Sequence, residues 1–384
     1  MSGAPTTYSV NGYGEMIADR TRMDAYVEAL RRSVGPQSVV LDLGAGTGIM
    51  ALVAAKLGAR RVYAVEPSAA LQLGRDAARA NGLAERIEFL EMLASEVTLP
   101  EPADVLVSDL RSSIPLYQRH VLSIADARRR LLVSGATIIP REDSLWAAIV
   151  EAREVHEALL RPWSCDGYGV DLSAGRSVAT STPRGVRVEV EQLLSRSLAW
   201  ETLDYRTRER TDAKAEIHFD IERSGAGHGI VLWFDSILTE GVAITNAPGA
   251  AKLIYGQVLL PWPEAVTLKR GDELAISLRA GFAGHDYAWR WATRIERRGR
   301  LLTTFEQSTL GGAPLSLNSL RKRREAHVPV LTEDGAIDRD ILNQIDGRRT
   351  LGEVAHLLAE RHPGRFPDWK DALRRASELS ARYR

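Results

Sequence analysis

The sequence predicts an α/β protein: a doubly wound parallel sheet, then an antiparallel β barrel or sandwich, then a small C-terminal α+β unit. Three observations carry that prediction. Short apolar runs alternate with helical patterns up to about residue 140, period-two patterns with hairpin punctuation fill roughly 141–310, and helical spacing returns in the last sixty residues. The expected domains are therefore 1–140, 141–315 and 325–384, the last pair joined through GGAPLSLNS and the basic run RKRR.

In chain order, Met16, Ile17, Met23, Tyr26, Val27 and Leu30 recur at helical spacing, which predicts one helix over 14–32. Val39-Val40-Leu41-Asp42-Leu43 is a short apolar run of the kind used for a strand buried on both faces. GAGTG follows, then the helical stretch IMALVAAKLG, closed by Gly58 as a C-cap. Val62-Tyr63-Ala64-Val65 predicts a second strand, ended by Glu66. A helix over 68–80, strands at 86–91 and 103–108, and a helix over 115–132 complete the alternation. Beyond Pro140, SLWAAIVEA, GVRVEVEQLLS, GIVLWFDSIL, AVTLKRGDELAISLRA and YAWRWATRIERRG read as antiparallel strands. At the end, HVPVL reads as part of a short strand pair, and helices are expected at 338–346, 350–361 and 368–382. Thr350 followed by Glu353 fits a capping box.

Composition narrows the function classes. The 384 residues are 45% hydrophobic and 26% charged, which excludes collagen-like and disordered chains. Fifty Lys+Arg balance fifty Asp+Glu, so no broad basic field marks a nucleic-acid coat, and RKRR reads as a solvated linker rather than a contact to nucleic acid. Cys165 is the only cysteine, which rules out an intramolecular disulfide and a cysteine-based metal cluster. The scattered His156, His218, His228 and His285 give no metal spacing, and no metal is expected. The first residues lack a signal pattern and no apolar run approaches membrane length, so a cytoplasmic protein without membrane contact is expected.

The strongest chemical signal is VVLDLGAGTG, residues 39–48, with Glu66 ending the next strand. Gly44, Gly46 and Gly48 let the backbone turn sharply and approach a ligand at the carboxyl edge of a Rossmann-like sheet. An acidic residue ending the second strand can accept hydrogen bonds from both hydroxyls of a ribose. The glycine spacing is GxGxG with Asp42 two residues ahead, not the dinucleotide GxGxxG, and this favours S-adenosylmethionine (S-adenosyl-L-methionine) as cofactor.

Residues 8–140 resemble the catalytic half of the protein arginine methyltransferases. The likeness rests on YGEMIADRTRMDAY, VLDLGAGTGIM, AVEPS and ARRRLLVSGATIIP. The middle region is similar as well, with RPWSCDGYGVDL where that family carries its dimerisation arm, which implies a homodimer. The resemblance implies that Arg22 holds the methionine carboxylate and that Met16 and Asp19 belong to the helix over the pocket. It also implies that Asp42, Gly44, Ala45, Gly46 and Gly48 line the methionine and ribose, that Glu66 binds the ribose, and that Leu93 and Ala94 lie near the adenine. Read without the resemblance, Arg22 is a solvated helix charge.

Two glutamates grip the substrate guanidinium in that family; here Asp109 and Gln118 take their positions in SDLRSSIPLYQR. The family's Thr-His-Trp loop is likewise replaced, around Leu253-Ile254-Tyr255. Asp109 is the candidate base or orienter for methyl transfer, or else a helix N-cap. Gln118 is the candidate orienter of an amide, imidazole or hydroxyl, or else part of a polar helix face. His120 is expected to be structural. IDGRRTLGEVAHLL resembles the PqqD-like winged-helix domains, which implies capture of a precursor peptide by strand addition; read without the resemblance, it is a packing or dimerisation appendage. The reading is a methyltransferase with altered acceptor specificity acting on a protein or ribosomally made peptide. Its rivals are a small-molecule methyltransferase and a catalytically silent peptide-binding scaffold.

Overall fold

The structure, a computed structural model, describes residues 9–164, 169–312, 316–322 and 324–383. It divides into two compact units, 1–314 and 315–384.

The first unit opens with helices α1 (Val10–Ala18) and α2 (Arg20–Ser33). One helix over 14–32 was expected; two form because Asp19 leaves helical geometry. Its side chain accepts from the Arg22 backbone N–H at 3.0 Å, capping α2, while its own N–H closes α1 on the Glu15 carbonyl. The parallel sheet then follows as β1 (Val39–Leu43), α3 (Ile49–Lys56), β2 (Arg61–Val65), α4 (Leu71–Ala80), β3 (Ile87–Leu90), β4 (Ala103–Ser108), α5 (His120–Arg130) and β5 (Leu132–Ile139). The spatial order is β3-β2-β1-β4-β5, with every neighbouring pair parallel. All five residues of β1 are buried, as expected of a central strand covered on both faces. The chain therefore has the parallel, Rossmann-like sheet read from its sequence, with a fifth strand, β5, beyond the four strands expected.

The remainder of this unit is antiparallel. It comprises β6 (Glu142–Val150), α6 (Arg153–Leu160), α7 (Gly175–Thr180), β7 (Arg184–Val186), β8 (Leu198–Asp204), β9 (Ala213–Asp220), β10 (Gly225–Thr239), β11 (Val242–Thr245), β12 (Gln257–Leu268), β13 (Glu273–Ala283), β14 (Asp286–Arg297) and β15 (Arg300–Ser308). One sheet runs β7-β12-β10-β6-β8, with β11 paired to β10; the other runs β15-β14-β13-β9. Aromatic side chains join the two. Trp262 of β12 donates from its indole N–H to Thr293 Oγ1 of β14 at 3.2 Å, and Trp200 of β8 meets Trp289 of β14 edge-on. The stretch GVRVEVEQLLS forms only the short β7 and a 3₁₀ turn at Val190–Gln192, not a full strand. In the dimerisation-arm stretch 161–172, residues 165–168, including Cys165, lie outside the described residues.

The second unit corrects the expectation of an α+β winged-helix-like domain. Residues 327–332 form no strand pair, and among the described residues this unit is helical: α8 (Leu317–Arg321), α9 (Glu333–Gln344), α10 (Leu351–Arg361) and α11 (Trp369–Arg382). Each of the three long helices has a side-chain N-cap, from Thr332, Thr350 and Asp368, and the Thr350–Glu353 capping box is formed. Ile337 and Ile341, Val354 and Leu358, and Ala372, Ala376 and Leu379 repeat at helical spacing and make this unit's own core. The HVPVL run is too short to bury itself as a hairpin, and Val328 and Val330 stay exposed. Strand addition of the PqqD-like kind needs a sheet edge, which the described residues of this unit lack.

Candidate functional site

The glycines between β1 and α3 set the geometry. Gly44, Gly46 and Gly48 have φ of +77°, +55° and +75°, the left-handed region that side chains disfavour. A Cβ on Gly44 would come within 2.2 Å of Leu110 Cδ2, and one on Gly46 within 2.6 Å of Tyr13 Cε1. The Gly44 and Ala45 N–H groups both donate to the Val65 carbonyl, which ties the loop to the end of β2. Gly48 N-caps α3. Glu66, 9% exposed, accepts from the Gly46 N–H at 3.1 Å and the Ser68 N–H at 3.0 Å, so its carboxylate is pinned beneath the loop. Asp42 accepts from the Ala51 N–H at 2.9 Å inside the first turn of α3. Burial pushes its carboxyl up to about 7, although the Ala51 bond opposes this.

A cleft opens above this loop. Of the residues expected at the cofactor, Met16, Arg22, Asp42, Gly44, Ala45 and Gly46 line it, and Asp109 lines it too. Tyr13, Ile17, Ile49 and Met50 add an aromatic and apolar wall that the sequence reading did not single out. Gly48, Glu66, Asp19, Leu93 and Ala94 are not on the lining. Asp19 instead ties the start of α2 to the loop before β12, accepting from the Ile254 N–H at 2.6 Å. Leu93 is 47% exposed, ahead of a 3₁₀ turn at Ala94–Glu96. The residues present fit S-adenosylmethionine: a loop with no room for a Cβ at positions 44 and 46, a pinned acid for hydroxyls, a guanidinium for a carboxylate, and an apolar wall.

Beside the cleft lies a buried network that the sequence reading missed. Asp109 Oδ2 accepts from Arg22 Nε at 2.6 Å and from the Tyr255 hydroxyl at 2.5 Å, and pairs with Arg22 Nη2 at 2.5 Å. Its other oxygen accepts from Arg111 Nε at 3.2 Å. Arg111 donates onward to Asp143 at 2.7 Å and to the Tyr26 hydroxyl at 2.8 Å. Asp143 in turn accepts from the Tyr205 hydroxyl at 2.5 Å, which contacts His120 Nε2 at 2.9 Å. Burial alone would raise the Asp109 carboxyl, but the Arg22 and Arg111 guanidiniums overcome it and hold the group below the usual carboxylate range. Burial, then Arg111, pushes the His120 imidazole down to about 3, which makes it a neutral structural partner.

A base needs a free lone pair and a pKa near the working pH. Asp109 is instead a saturated acceptor, suited to orienting and charge pairing. No helix starts at 110, so Asp109 is not a helix N-cap either. Gln118, with φ of +42°, is off the cleft lining; its backbone N–H donates to Asp286 at 2.8 Å and its amide to the Tyr117 hydroxyl at 2.9 Å. His156 and His228 lie with ring centres 5.1 Å apart, yet no group of metal-binding residues occurs among the described residues. The one sequence signal for the network was SDLR itself, an acid and an arginine two positions apart just after a buried strand. The partners Asp143 and Tyr205 come from β6 and the end of β8, which only the tertiary fold brings there.

Comparison with known proteins agrees with this architecture. Residues 141–285 match the family model of the arginine methyltransferase oligomerization subdomain, and residues 21–143 match that of ribosomal protein L11 methyltransferase. Protein arginine N-methyltransferase 6 of Xenopus laevis is 30% identical over 279 residues, covering 69% of this chain and 82% of that protein. Probable protein arginine N-methyltransferase 1.2 of Arabidopsis thaliana is 28% identical over 272 residues, covering 69% and 74%. Among solved structures, the Trypanosoma brucei PRMT1 enzyme-prozyme complex with AdoHcy superposes with a TM-score of 0.70 at 21% identity, covering 77% of this chain and 96% of that one. Arabidopsis thaliana protein arginine methyltransferase 10 gives 0.70 at 22% identity, covering 79% and 98%. These two share the fold.

Proposed function

Because the chain belongs to the protein arginine N-methyltransferase family, a family of S-adenosylmethionine-dependent enzymes, we propose that it methylates a protein or a ribosomally made peptide. The observation that carries this reading is the glycine loop pinned by Glu66 beneath a cleft that Arg22, Asp42 and Asp109 share.

S-adenosylmethionine supplies a methyl group activated on a sulfonium sulfur. The residues of this chain bind and orient. Arg22 would take the amino-acid carboxylate, a role for which its planar fork is suited. Glu66 would accept from the ribose, and Asp42 with Gly44, Ala45, Gly46 and Gly48 would border the methionine and sugar. Leu93 and Ala94 are the proposed adenine neighbours. Met16, Ile17, Ile49 and Met50 would give the bound donor an apolar wall. Asp109 would orient the acceptor through the donors it holds in place, and Gln118 would act at the outer edge. The oligomerization-subdomain match supports a homodimer formed through the 161–172 segment.

The test is transfer of a tritiated methyl group from S-adenosylmethionine into a desalted cell extract, with and without the purified chain. Label in acid-precipitable protein is expected. Label confined to small molecules would turn the reading to a small-molecule enzyme, and no transfer to any fraction would contradict it.

A further inference from the structure

The N–H groups of Arg22 divide between two tasks. Nε is shared between Asp109 Oδ2 at 2.6 Å and the Tyr255 hydroxyl at 3.2 Å. Nη2 pairs with the same Asp109 oxygen at 2.5 Å, which uses one of its hydrogens. Nη1 donates to the Met16 carbonyl at 3.0 Å and meets the Met23 sulfur at 3.3 Å. The second Nη2 hydrogen, and the Nη1 hydrogen resting on a weak sulfur acceptor, are left for a ligand carboxylate. Arg22 can therefore take such a carboxylate without leaving Asp109, provided its guanidinium keeps this orientation.

Tyr255 fixes that orientation. Its hydroxyl donates to Asp109 Oδ2 at 2.5 Å and accepts from Arg22 Nε, which closes a triangle of three buried polar groups. Burial, then Asp109, pushes the phenol well above its ordinary range, so the hydroxyl keeps its proton and stays a donor to the carboxylate. The Tyr255 ring is buried and stands edge-on to Phe234 of β10, with ring centres 5.9 Å apart. The chain around it is clamped: Arg187 Nη2 donates to the Leu253 carbonyl at 2.7 Å, and the Ile254 N–H bonds Asp19. Phenylalanine would fill the same ring space but leave Arg22 Nε and Asp109 Oδ2 each one partner short. Tyr255 does not line the cleft, so its effect on a ligand passes through Arg22 and Asp109. Glu66, by contrast, serves the sugar side through Gly46 and Ser68.

Resting on the methyltransferase reading, we propose that Tyr255 is a positioning residue for the methyl donor: its hydroxyl locks the Arg22 guanidinium against Asp109, so that the remaining N–H groups grip the donor's amino-acid carboxylate. The antiparallel part of the chain thereby supplies one hydroxyl to a site otherwise built by the parallel sheet and the helices ahead of it.

The experiment titrates full-length wild type and Tyr255→Phe with two ligands by calorimetry. S-adenosylhomocysteine carries the amino-acid carboxylate; 5′-methylthioadenosine has the adenosine and the sulfur without it. The wild type is expected to bind S-adenosylhomocysteine about tenfold more tightly than methylthioadenosine, or better. Tyr255→Phe is expected to lose about fivefold or more in S-adenosylhomocysteine affinity while its methylthioadenosine affinity stays within about twofold. On an Arg22→Lys background the same substitution is expected to leave the ratio of the two affinities unmoved, because no guanidinium remains for the hydroxyl to hold. A ratio that still moves there would show the hydroxyl acting elsewhere and overturn the inference. Equal losses for both ligands would make Tyr255 structural only, and no loss for either would remove it from donor binding; each overturns the inference. A wild type that binds the two ligands alike would overturn it whether or not any variant folds, since there would be no carboxylate grip to position. Binding of neither ligand by a folded wild type sinks the methyltransferase assignment, whereas donor binding with any of the overturning results sinks only this inference.

Discussion

Asp109 and Asp42 are both buried carboxyls beside one cleft, yet their surroundings drive them in opposite directions. Asp109 sits between two arginines and is held ionised, so Asp109→Asn leaves Arg22 and Arg111 without their shared counter-charge. Breaking a buried pair from one side costs about 3–5 kcal/mol, and urea unfolding of this variant should show a loss of that order. A loss under about 1 kcal/mol would mean that the network is not closed as described. Asp42 has a backbone donor and a lesser pull from Arg22, which burial outweighs, lifting it from the ordinary 3.8 to about 7. Between those values the folded chain holds a proton that the unfolded chain has released, so this group costs stability as pH rises through the window. Each pKa unit is about 1.4 kcal/mol, and Asp42→Asn removes the penalty. The melting temperature of Asp42→Asn relative to wild type should therefore climb between pH 5 and pH 8; parallel pH profiles would contradict the assignment.

At the scale of elements, the most informative departure is the break at Asp19. Apolar spacing alone ran straight through it, because Met16, Met23 and Tyr26 keep helical phase on both sides. What breaks the helix is a side chain with two uses: capping α2 and accepting from Ile254 ahead of β12. Losing an N-cap costs about 1 kcal/mol, and Asp19→Ala also frees the junction over the cleft. Its thermal midpoint should fall by several degrees and its donor affinity should fall with it; an unchanged affinity would detach the junction from the site. The parallel strands were legible because burial on both faces writes itself as unbroken apolar runs, and the glycine loop because only glycine tolerates its backbone. The HVPVL strand pair was misread because apolar alternation over a few residues carries no information about a partner strand. The ion network was illegible for the same reason, since Asp109, Arg111, Asp143 and Tyr205 are ordinary polar residues until the sheets bring them together.

At the scale of the whole molecule, each unit closes its own core, and every residue lining the cleft belongs to the first. Removing residues 315–384 should therefore leave donor affinity within about twofold, a difference of roughly 0.4 kcal/mol. A tenfold loss would show that the second unit helps to build the site. No described helix is long and apolar enough to cross a membrane. All of these expectations depend on the loop and Glu66 forming a donor site. The most direct test is calorimetric titration of the purified chain with S-adenosylmethionine and S-adenosylhomocysteine, repeated on Glu66→Ala. The structure predicts micromolar binding to the wild type and at least a hundredfold loss in the variant. Equal binding by both proteins, or none by a folded wild type, would contradict it.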